Sequence, residues 1–389
     1  MTDARPLRVA LDATPLIGHR TGVGEFCVGA LGGLADRPDV NVSAFAVSWR
    51  RRGWLRTELP APVRSQQRPM PARPLQWSWR RSNWPPSEWF LGDLDVVHGT
   101  NFVVPPSRRA ARVLTVHDLT AVRFPEMCTP ATLQYPAAIR RALSDGAFVH
   151  TPSAFVAAEV VEEFGADPDR VRAVHSGVPL RSVVRPAEGV TARVLDFMPP
   201  GATRYVLSLA TAEPRKDLAS LVRAFDGLAA DRADVALVLA GPPGWGEDAL
   251  VAAIDSARFA TRIVRPGWVD DAAVGALLAG AAVLAYPSRY EGFGFPALEA
   301  MAAGVPVVST RAGAIPEVLG DGAALVPVGD VDALTAALAA VLDSESHAAA
   351  LTTAGRRRAE AFSWAACASG LSEIYRVAAA DRAQRSTRR

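Results

Sequence analysis

The chain has 389 residues, of which 49% are apolar, and a formal net charge of +2 at pH 7. A chain of this length exceeds what one hydrophobic core usually supports, so we expect two domains. The small net charge argues against a nucleic-acid partner. Cys27, Cys128 and Cys367 are too far apart for a zinc or disulfide pattern, and the first residues do not form a secretory signal, so we expect a cytoplasmic protein.

Short β-branched segments alternate with helix-length amphipathic segments along almost the whole chain. In the first half the predicted strands are LRVALDA, VNVSAFAV, LDVVH, ARVLTVHD, AFVHTPS and VRAVHSG. In the second half they are RYVLSLA, ADVALVLAG, TRIVRPG, AAVLAYPS, VPVVST and AALVPV. This alternation is typical of a parallel sheet covered by helices on both faces.

Because the series occurs twice, we predict an α/β fold with two doubly wound Rossmann-like domains, residues 1–185 and 200–363. The segment 177–203 is rich in Pro and Gly and has the composition of a linker. Residues 364–385 form a predicted helix that packs back on the first domain. The apolar stretch from Ala272 divides into a helix and a strand, so we expect no transmembrane span.

The strongest motif follows the strand AAVLAYPS. A turn with Glu291, Gly292, Phe293 and Gly294 leads into a helix that begins near Phe295. Glycines allow backbone amides to approach a ligand closely, and a helix N-terminus presents unpaired N–H groups and a positive dipole end. The pattern therefore predicts an anion-binding site.

Two carboxylates, Glu291 and Glu299, frame this turn at an E-x7-E spacing. Carboxylates accept hydrogen bonds, so each could hold a pair of sugar hydroxyls. The alternatives are that Glu299 only stabilises the helix dipole and that Glu291 is an ordinary surface acid.

Together with DATPLIGHRTGVGEF, LTVHDL, TPSAF, VHSGVP and EPRKDL, the E-x7-E block makes the chain resemble retaining glycosyltransferases of family 4 over nearly its whole length. The resemblance implies the GT-B architecture, two Rossmann-like domains facing each other across a cleft. It also implies that Glu299 holds the ribose of a nucleotide-sugar donor and that Glu291 contacts the transferred sugar.

Lys216 is the only lysine of the chain and follows Arg215 in EPRKDL. The resemblance places both side chains on the donor diphosphate, where preorganised cations would stabilise the leaving group without a metal. The alternative for Lys216 is an exposed lysine at a helix start. Many relatives have an Arg before EPRK, whereas this chain has Ala210 and Thr211 there.

In the first half, Gly22 and Gly24 follow the first strand, but the third glycine of a dinucleotide fingerprint is replaced by Cys27, which disfavours NAD. By resemblance this loop faces the donor phosphate and the acceptor, and Arg20 could add a cation. His117 lies at a strand end, and the resemblance gives it a contact to the transferred sugar. The alternative is a structural histidine beside Asp118.

By resemblance, backbone groups at Val269 hold the nucleobase.

Three D-x-D strings occur in the chain, at Asp93–Asp95, Asp167–Asp169 and Asp330–Asp332. Two carboxylates at this spacing are common by chance, so we interpret all three strings as structural and expect no metal site. We also expect no cofactor, since the nucleotide sugar is a substrate.

Residues 49–90 are rich in Trp and Arg. This composition suits an anionic, lipid-linked or polymeric acceptor, or a peripheral contact with the inner membrane face, and the alternative is an irregular insertion. For the protein as a whole we expect a glycan, a lipid-linked compound or a small molecule as the acceptor.

We therefore expect a metal-independent retaining glycosyltransferase, with GDP-mannose as the favoured donor. The alternatives are a UDP-sugar donor, a nucleotide-sugar epimerase, a phosphorylase or a nucleotide-sugar-binding protein without transfer activity.

Overall fold

The computed structural model of the protein describes residues 5–18, 20–49, 53, 55–66, 68–79, 81–179 and 198–387. The chain divides into two compact units, unit 1 (Met1–Gly177 and Phe362–Arg389) and unit 2 (Val178–Ala361). Most of the predicted linker 177–203 lies outside the described residues.

Unit 1 is built on a parallel sheet whose strands, in the described residues, run in the order β3-β2-β1-β4-β5-β6-β7. The strands are β1 (Leu7–Asp12), β2 (Val40–Phe45), β3 (Arg64–Ser65), β4 (Val96–Gly99), β5 (Ala111–Thr115), β6 (Phe148–Thr151) and β7 (Val171–Ala173). The helices are α1 (Gly22–Ala35), α2 (Leu55–Glu58), α3 (Ala72–Trp79), α4 (Glu88–Leu91), α5 (Thr120–Arg123), α6 (Tyr135–Ser144) and α7 (Ala154–Phe164).

Unit 2 repeats this plan with a parallel sheet of order β10-β9-β8-β11-β12-β13. Its strands are β8 (Arg204–Leu209), β9 (Val235–Ala240), β10 (Ile263–Gly267), β11 (Val283–Tyr286), β12 (Val307–Thr310) and β13 (Ala324–Val326). Its helices are α8 (Leu218–Ala229), α9 (Glu247–Asp255), α10 (Asp271–Gly280), α11 (Phe295–Ala303), α12 (Ile315–Leu319), α13 (Val331–Asp343) and α14 (Glu345–Ala359).

The predicted α/β fold with two Rossmann-like domains is confirmed, and each predicted strand overlaps an observed one. The stretch from Ala272 divides into α10 and β11, and none of the described helices is long and apolar enough to cross a membrane. The prediction missed the short strand β3, because two residues inside the Arg/Trp-rich segment carry no periodic pattern.

The strand order reverses between β1 and β4 in unit 1 and between β8 and β11 in unit 2. Loops that leave the carboxyl ends of two such strands go to opposite faces of the sheet and leave a crevice, where doubly wound proteins bind ligands. The topology therefore directs attention to the loops after β8 and β11, and to those after β1 and β4.

A last helix, α15 (Trp364–Thr387), belongs to unit 1. A Cβ atom on Gly29 of α1 would lie 2.0 Å from the Trp364 ring, so only glycine permits this close approach. Ser372 donates to Asp39 over 2.6 Å, and Arg170 forms a 2.7 Å ion pair with Asp381. The helix is thus held to the sheet at several points along its length.

A chain of buried hydrogen bonds joins α15 to the middle of the sheet. Tyr375 Oη lies 2.7 Å from His98 Nδ1, and His98 Nε2 lies 2.7 Å from Thr115 Oγ1. Thr115 Oγ1 lies 2.9 Å from His150 Nδ1, and His150 Nε2 lies 3.0 Å from the Val174 carbonyl. All four side chains are fully buried.

In this series of hydrogen bonds every group donates toward the Val174 carbonyl. The Val174 carbonyl can only accept, so His150 Nε2 carries a proton and Nδ1 of the neutral ring accepts from Thr115. Thr115 then accepts from His98 Nε2, and His98 Nδ1 accepts from the Tyr375 hydroxyl. Burial lowers the pKa of His98 well below its ordinary value and that of His150 to about 3, so both rings are neutral at pH 7.

Replacement of His150 by Gln isolates this contribution to stability. The pKa of His150 is lower in the folded state than in the unfolded state, so its contribution is complete above about pH 6.5 and is lost as the pH falls toward 3. We expect the stability difference between wild type and His150→Gln to shrink by about 2 kcal/mol between about pH 7.5 and pH 5, measured by urea unfolding.

We compare wild type with His150→Gln because a second group titrates over part of the same pH range. Burial raises the pKa of Asp12 to about 6, so Asp12 stabilises the fold as the pH falls. Both proteins contain Asp12, so its effect cancels. Parallel pH profiles for the two proteins would contradict a neutral, buried His150.

Candidate functional site

The predicted residues of unit 2 meet where the strand order reverses between β8 and β11. A 3₁₀ turn, Pro214–Lys216, follows β8 and carries Arg215 and Lys216. The loop after β11 carries Glu291 and runs into α11. The Arg289 amide donates to the Arg215 carbonyl over 2.8 Å, so the two loops are tied together through their backbones.

Glu291 is the centre of a buried ion cluster and is 5% exposed. Its Oε1 accepts from Lys216 Nζ over 2.6 Å and from Ser288 Oγ over 2.6 Å. Its Oε2 accepts from Arg215 over 2.8 Å, and Arg215 also pairs with Glu213 over 3.2 Å. The two cations are therefore balanced by two carboxylates.

The cluster leaves hydrogen-bonding capacity on Lys216. Glu291 accepts from Arg215, Lys216 and Ser288, and the Tyr286 hydroxyl also forms a hydrogen bond with this carboxylate. An ammonium has three N–H donors, and Lys216 uses one on Glu291 and one on the Tyr286 hydroxyl at 3.0 Å. Lys216 can thus donate to one further acceptor.

The electrostatic environment keeps the carboxylate ionised. Burial by itself would raise the pKa of Glu291, but Arg215 and Lys216 outweigh burial and lower the pKa to about 2. Burial and the neighbouring Arg215 lower the pKa of Lys216. Lys216 also lies 4.9 Å from the centre of the Tyr286 ring, a cation–π contact.

The glycine turn has the backbone geometry that the sequence predicted. Gly294 has φ +111° and immediately precedes α11, with Pro296 in the first turn. Gly313 packs so closely on the loop that a Cβ would lie 2.3 Å from the Glu291 carbonyl oxygen. Gly292, Phe293 and Gly294 are buried just before α11, where Pro296 has no N–H and the Ala297 and Leu298 amides both donate to the Gly294 carbonyl over 3.2 Å.

The two other predicted contacts of unit 2 lie on separate elements. Glu299 is in the second turn of α11 and fully buried, so it lies beyond the first turn, where a carboxylate stabilises the helix dipole most. Val269 follows β10 and is half-buried, next to the Asp270 cap of α10. Their assignments to ribose and base remain predictions.

In unit 1, His117 lies two residues beyond the end of β5 and is half-buried. Its Nε2 lies 2.7 Å from the Thr100 carbonyl, so Nε2 donates and Nδ1 of the neutral ring is an acceptor. Burial lowers the pKa of His117, which favours this neutral form. Asp118 instead accepts from Thr120 at the start of α5, so His117 is oriented by Thr100 and not by Asp118.

The loop after β1 is held by its own contacts. Gly22 begins α1 and is exposed, and Gly24 is buried where a Cβ would lie 2.7 Å from the Arg20 side chain. Arg20 pairs with Glu58 over 3.1 Å and with Glu25 over 3.8 Å. Its charge is thus already compensated by carboxylates of the same unit.

In each D-x-D string at least one carboxylate has a structural role. Asp95 pairs with Arg5, and Asp93 pairs with Arg109. Asp167 caps a 3₁₀ turn and Asp330 caps α13. In the described part of the chain, no group of three or more His, Cys, Asp or Glu residues is arranged to hold a metal ion.

Sequence reasoning missed three members of the ion cluster. Tyr286 and Ser288 contact Lys216 and Glu291 from the end of β11, and Glu213 pairs with Arg215. Glu213 lies in the EPRK motif, and the other two lie at the carboxyl end of a predicted strand. These positions could have indicated that the three residues belong to the site.

Glu291→Gln tests how far unit 2 depends on this carboxylate. Removal of one partner leaves buried cations uncompensated, so we expect a loss of about 3 kcal/mol in unfolding free energy, measured by urea denaturation. Glu247→Gln is the matched control, because Glu247 and Arg265 form a 2.6 Å pair with side chains 30% and 33% exposed. That exposed pair is expected to contribute under about 1 kcal/mol, and equal losses would contradict the special role of Glu291.

Comparisons with known proteins identify the family of the chain. A family model described as "Glycosyl transferases group 1" matches residues 198–358, and one described as "Glycosyltransferase Family 4" matches residues 21–182. The chain is 32% identical to O-antigen chain mannosyltransferase B of Escherichia coli, over 74% of this chain and 76% of that protein. It is 33% identical to the "MMP alpha-(1->4)-mannosyltransferase" of Mycolicibacterium hassiacum, over 74% of this chain and 72% of that protein.

Among solved structures, sucrose-phosphate synthase from Thermosynechococcus elongatus superposes with a TM-score of 0.75 at 18% identity, covering 95% of this chain and 98% of that one. At this identity the likeness concerns the fold. Together with the family models and the relatives, it shows that the chain belongs to the glycosyltransferases of the GT-B fold and is a hexosyltransferase with mannosyltransferases among its relatives.

Proposed function

We propose that this hexosyltransferase moves a mannosyl unit from GDP-mannose to an acceptor hydroxyl, with retention of configuration and without a metal ion. The names of two relatives, both mannosyltransferases, support the sugar. One of them is named for an α-linked product. Mannose is α-linked in GDP-mannose, so an α-linked product from this donor corresponds to retention.

The observation that carries the proposal is the cluster of Lys216, Arg215 and Glu291 where the strand order of unit 2 reverses. Lys216 is held by Tyr286 and Glu291 with one N–H left for a further acceptor. A phosphate oxygen of the donor fits that requirement.

Charge develops on the diphosphate as the bond to the sugar breaks. Lys216 and Arg215 are fixed before the reaction, so they stabilise this charge without reorganisation. In the ligand-free cluster Glu291 and Glu213 balance both cations, which lowers the cost of keeping them buried. As charge grows on the leaving group, the same N–H donors supply the electrostatic role that a divalent cation has in other transferases.

The other predicted residues each contact a different part of the donor. Glu291 contacts a hydroxyl of the transferred mannose through its carboxylate. Glu299 holds the ribose hydroxyls, and backbone groups at Val269 hold the base. Gly292, Phe293 and Gly294 bring the backbone close to the phosphates.

On unit 1, His117 presents Nδ1 as an acceptor, because Nε2 is committed to the Thr100 carbonyl. A hydroxyl of the transferred sugar is the matching donor. Gly22 and Gly24 shape the loop that meets the donor phosphate and the acceptor.

The reaction is a same-face substitution. The bond between C1 of the sugar and the diphosphate oxygen breaks, and its electron pair stays on the phosphate. The acceptor oxygen forms the new bond to C1 from the same face, and its proton passes to the departing phosphate oxygen. No side chain is then needed as a general base.

The acceptor contact is proposed for residues 49–90. Trp49, Trp77, Trp84 and Trp89 are 53–60% exposed, an unusual exposure for so large an apolar side chain. Exposed tryptophans beside arginines suit a lipid-linked acceptor or a peripheral contact with the inner membrane face.

Lys216→Ala is expected to lower kcat/KM by about 10²–10³-fold in a mannosyl-transfer assay, because it removes a preorganised donor to the leaving group. Arg258→Ala is the control, since Arg258 is exposed and pairs only with Asp226 of the same unit. Circular dichroism shows whether both variants are folded. Full activity in a folded Lys216→Ala protein would refute the leaving-group role.

The contact between Lys216 and the donor can be measured directly, because Lys216 is the only lysine of the chain. An amine-directed acylating reagent followed by mass spectrometry reports the modification of this side chain. GDP-mannose should slow that modification, and unchanged labelling at saturating donor would contradict the contact.

A panel of GDP, UDP, ADP and dTDP sugars tests the donor. We expect GDP-mannose to raise the melting temperature most and to be consumed, with a product whose proton NMR coupling shows retained configuration, at an unchanged rate in EDTA. A larger effect of a UDP-sugar would replace the donor assignment, inversion would overturn the mechanism, and loss of activity in EDTA would overturn metal independence.

A further inference from the structure

Unit 1 contains a cavity of about 220 Å³ that is lined by none of the residues assigned to the donor. It lies between α3, α6 and the loop that follows β4. The walls that matter here are Trp79, Asn83, Arg112, Tyr135, Arg141 and Asp145. Two guanidinium groups, an amide and two aromatic rings thus surround a small space.

The cavity is separate from the carboxyl ends of the strands. Arg112 is the second residue of β5, whereas His117 lies beyond the other end of this strand. At about 3.3 Å per residue, the two are roughly 16 Å apart along the chain direction. Asp145 likewise precedes β6.

The cavity has an excess of positive charge. Arg112, with its side chain 11% exposed, pairs with Asp145 at 3.4 Å and donates to the Asp145 carbonyl at 2.9 Å. Arg141 forms no ion pair with any described residue, and its Nε is buried without a hydrogen-bond partner in the described structure. The Arg141 Nη2 atom lies 3.4 Å from Asn83 Oδ1, which is long for a hydrogen bond.

Arg141 is half-buried and has no counter-charge among the described residues, so a bound anion would lower the cost of holding its guanidinium in this cavity. Burial lowers the pKa of Arg112; Asp145 opposes this shift, and Arg382 and Arg141 add to it. Asn83 turns its oxygen toward Arg141, so its amide N–H groups remain as further donors.

The size and the donors select the anion. The volume is below the roughly 300–1,000 Å³ of pockets that enclose whole drug-sized ligands, so the occupant is one compact group. Guanidinium forks match the oxygens of a phosphate, and a phosphate monoester has three terminal oxygens for the donors of Arg112, Arg141 and Asn83.

The cavity borders exposed tryptophans. Trp84 directly follows Asn83, and its ring meets that of Trp89 edge-to-face at 5.4 Å. Trp77 precedes the buried Trp79 by two residues and lies under the Arg81 guanidinium at 4.6 Å. Tryptophan is enriched where proteins contact the headgroup level of a membrane. An anion-binding cavity beside exposed indole rings therefore suits the phosphate group of a lipid.

We propose that this cavity is a binding site for a phosphate monoester, separate from the donor site, with Arg141 as its main ligand. The phosphate belongs either to a lipid headgroup at a membrane or to a soluble phosphate ester. This inference stands on unit 1 alone and does not depend on the proposed donor or mechanism.

The test uses the Lys216→Ala full-length protein, so that phosphate held by the cations of unit 2 does not contribute. Isothermal titration with glycerol 3-phosphate probes the soluble source. Co-sedimentation with phosphatidylcholine vesicles containing phosphatidic acid probes the lipid source, with phosphatidylglycerol as the anionic lipid that lacks a monoester.

Arg141→Gln should weaken binding of the phosphate probe by about ten-fold or more, because it removes a charge-assisted contact. Arg140→Gln is the matched control and should leave binding unchanged, since Arg140 is its exposed neighbour on α6, stacked at 5.3 Å over Phe164. Thermal melts show whether both variants are folded.

Binding of glycerol 3-phosphate that Arg141→Gln weakens supports a soluble ester, and preferential sedimentation with phosphatidic acid that the same variant removes supports a lipid headgroup. The proposal is overturned if neither probe binds at up to roughly 10 mM phosphate, or if Arg141→Gln and Arg140→Gln bind equally well.

Discussion

The site of this glycosyltransferase depends on one buried carboxylate. Glu291 accepts from Lys216, Arg215 and Ser288 at once, so a single group orients both cations and joins the loops that follow β8 and β11. Two adjacent buried cations would repel each other and unsettle these loops if no anion lay between them. The ion cluster therefore explains how two cationic side chains remain next to each other in this fold.

The two units use the same topology with different chemistry. Unit 2 places compensated charges where its strand order reverses, and these suit an anion that gains charge during a reaction. Unit 1 instead contains neutral histidines whose protons are fixed by carbonyl acceptors, at His150 by Val174 and at His117 by Thr100. The Thr100 hydroxyl also donates to the Asp12 carbonyl over 2.6 Å, which connects the loops after β1 and β4.

Much of the fold was predictable because parallel strands buried on both faces are nearly continuous apolar runs, which stand out in any sequence. The edge strand β3 was not, since two residues beside arginines and prolines have no periodicity to detect. Gly294 and Pro296 were predictable for a local reason, because a positive φ and a helix start need those residue types.

The sequence by itself determined the α/β class, the repeated strand–helix series and the motif positions of Arg215, Lys216, Glu291 and Glu299, because these follow from local pattern and spacing. Only the tertiary structure decided which groups meet. It paired Glu291 with Lys216 over 75 residues of chain, gave Lys216 a tyrosine partner, and directed His117 to Thr100 and away from Asp118. Such contacts depend on strand order and loop direction, which no local pattern encodes.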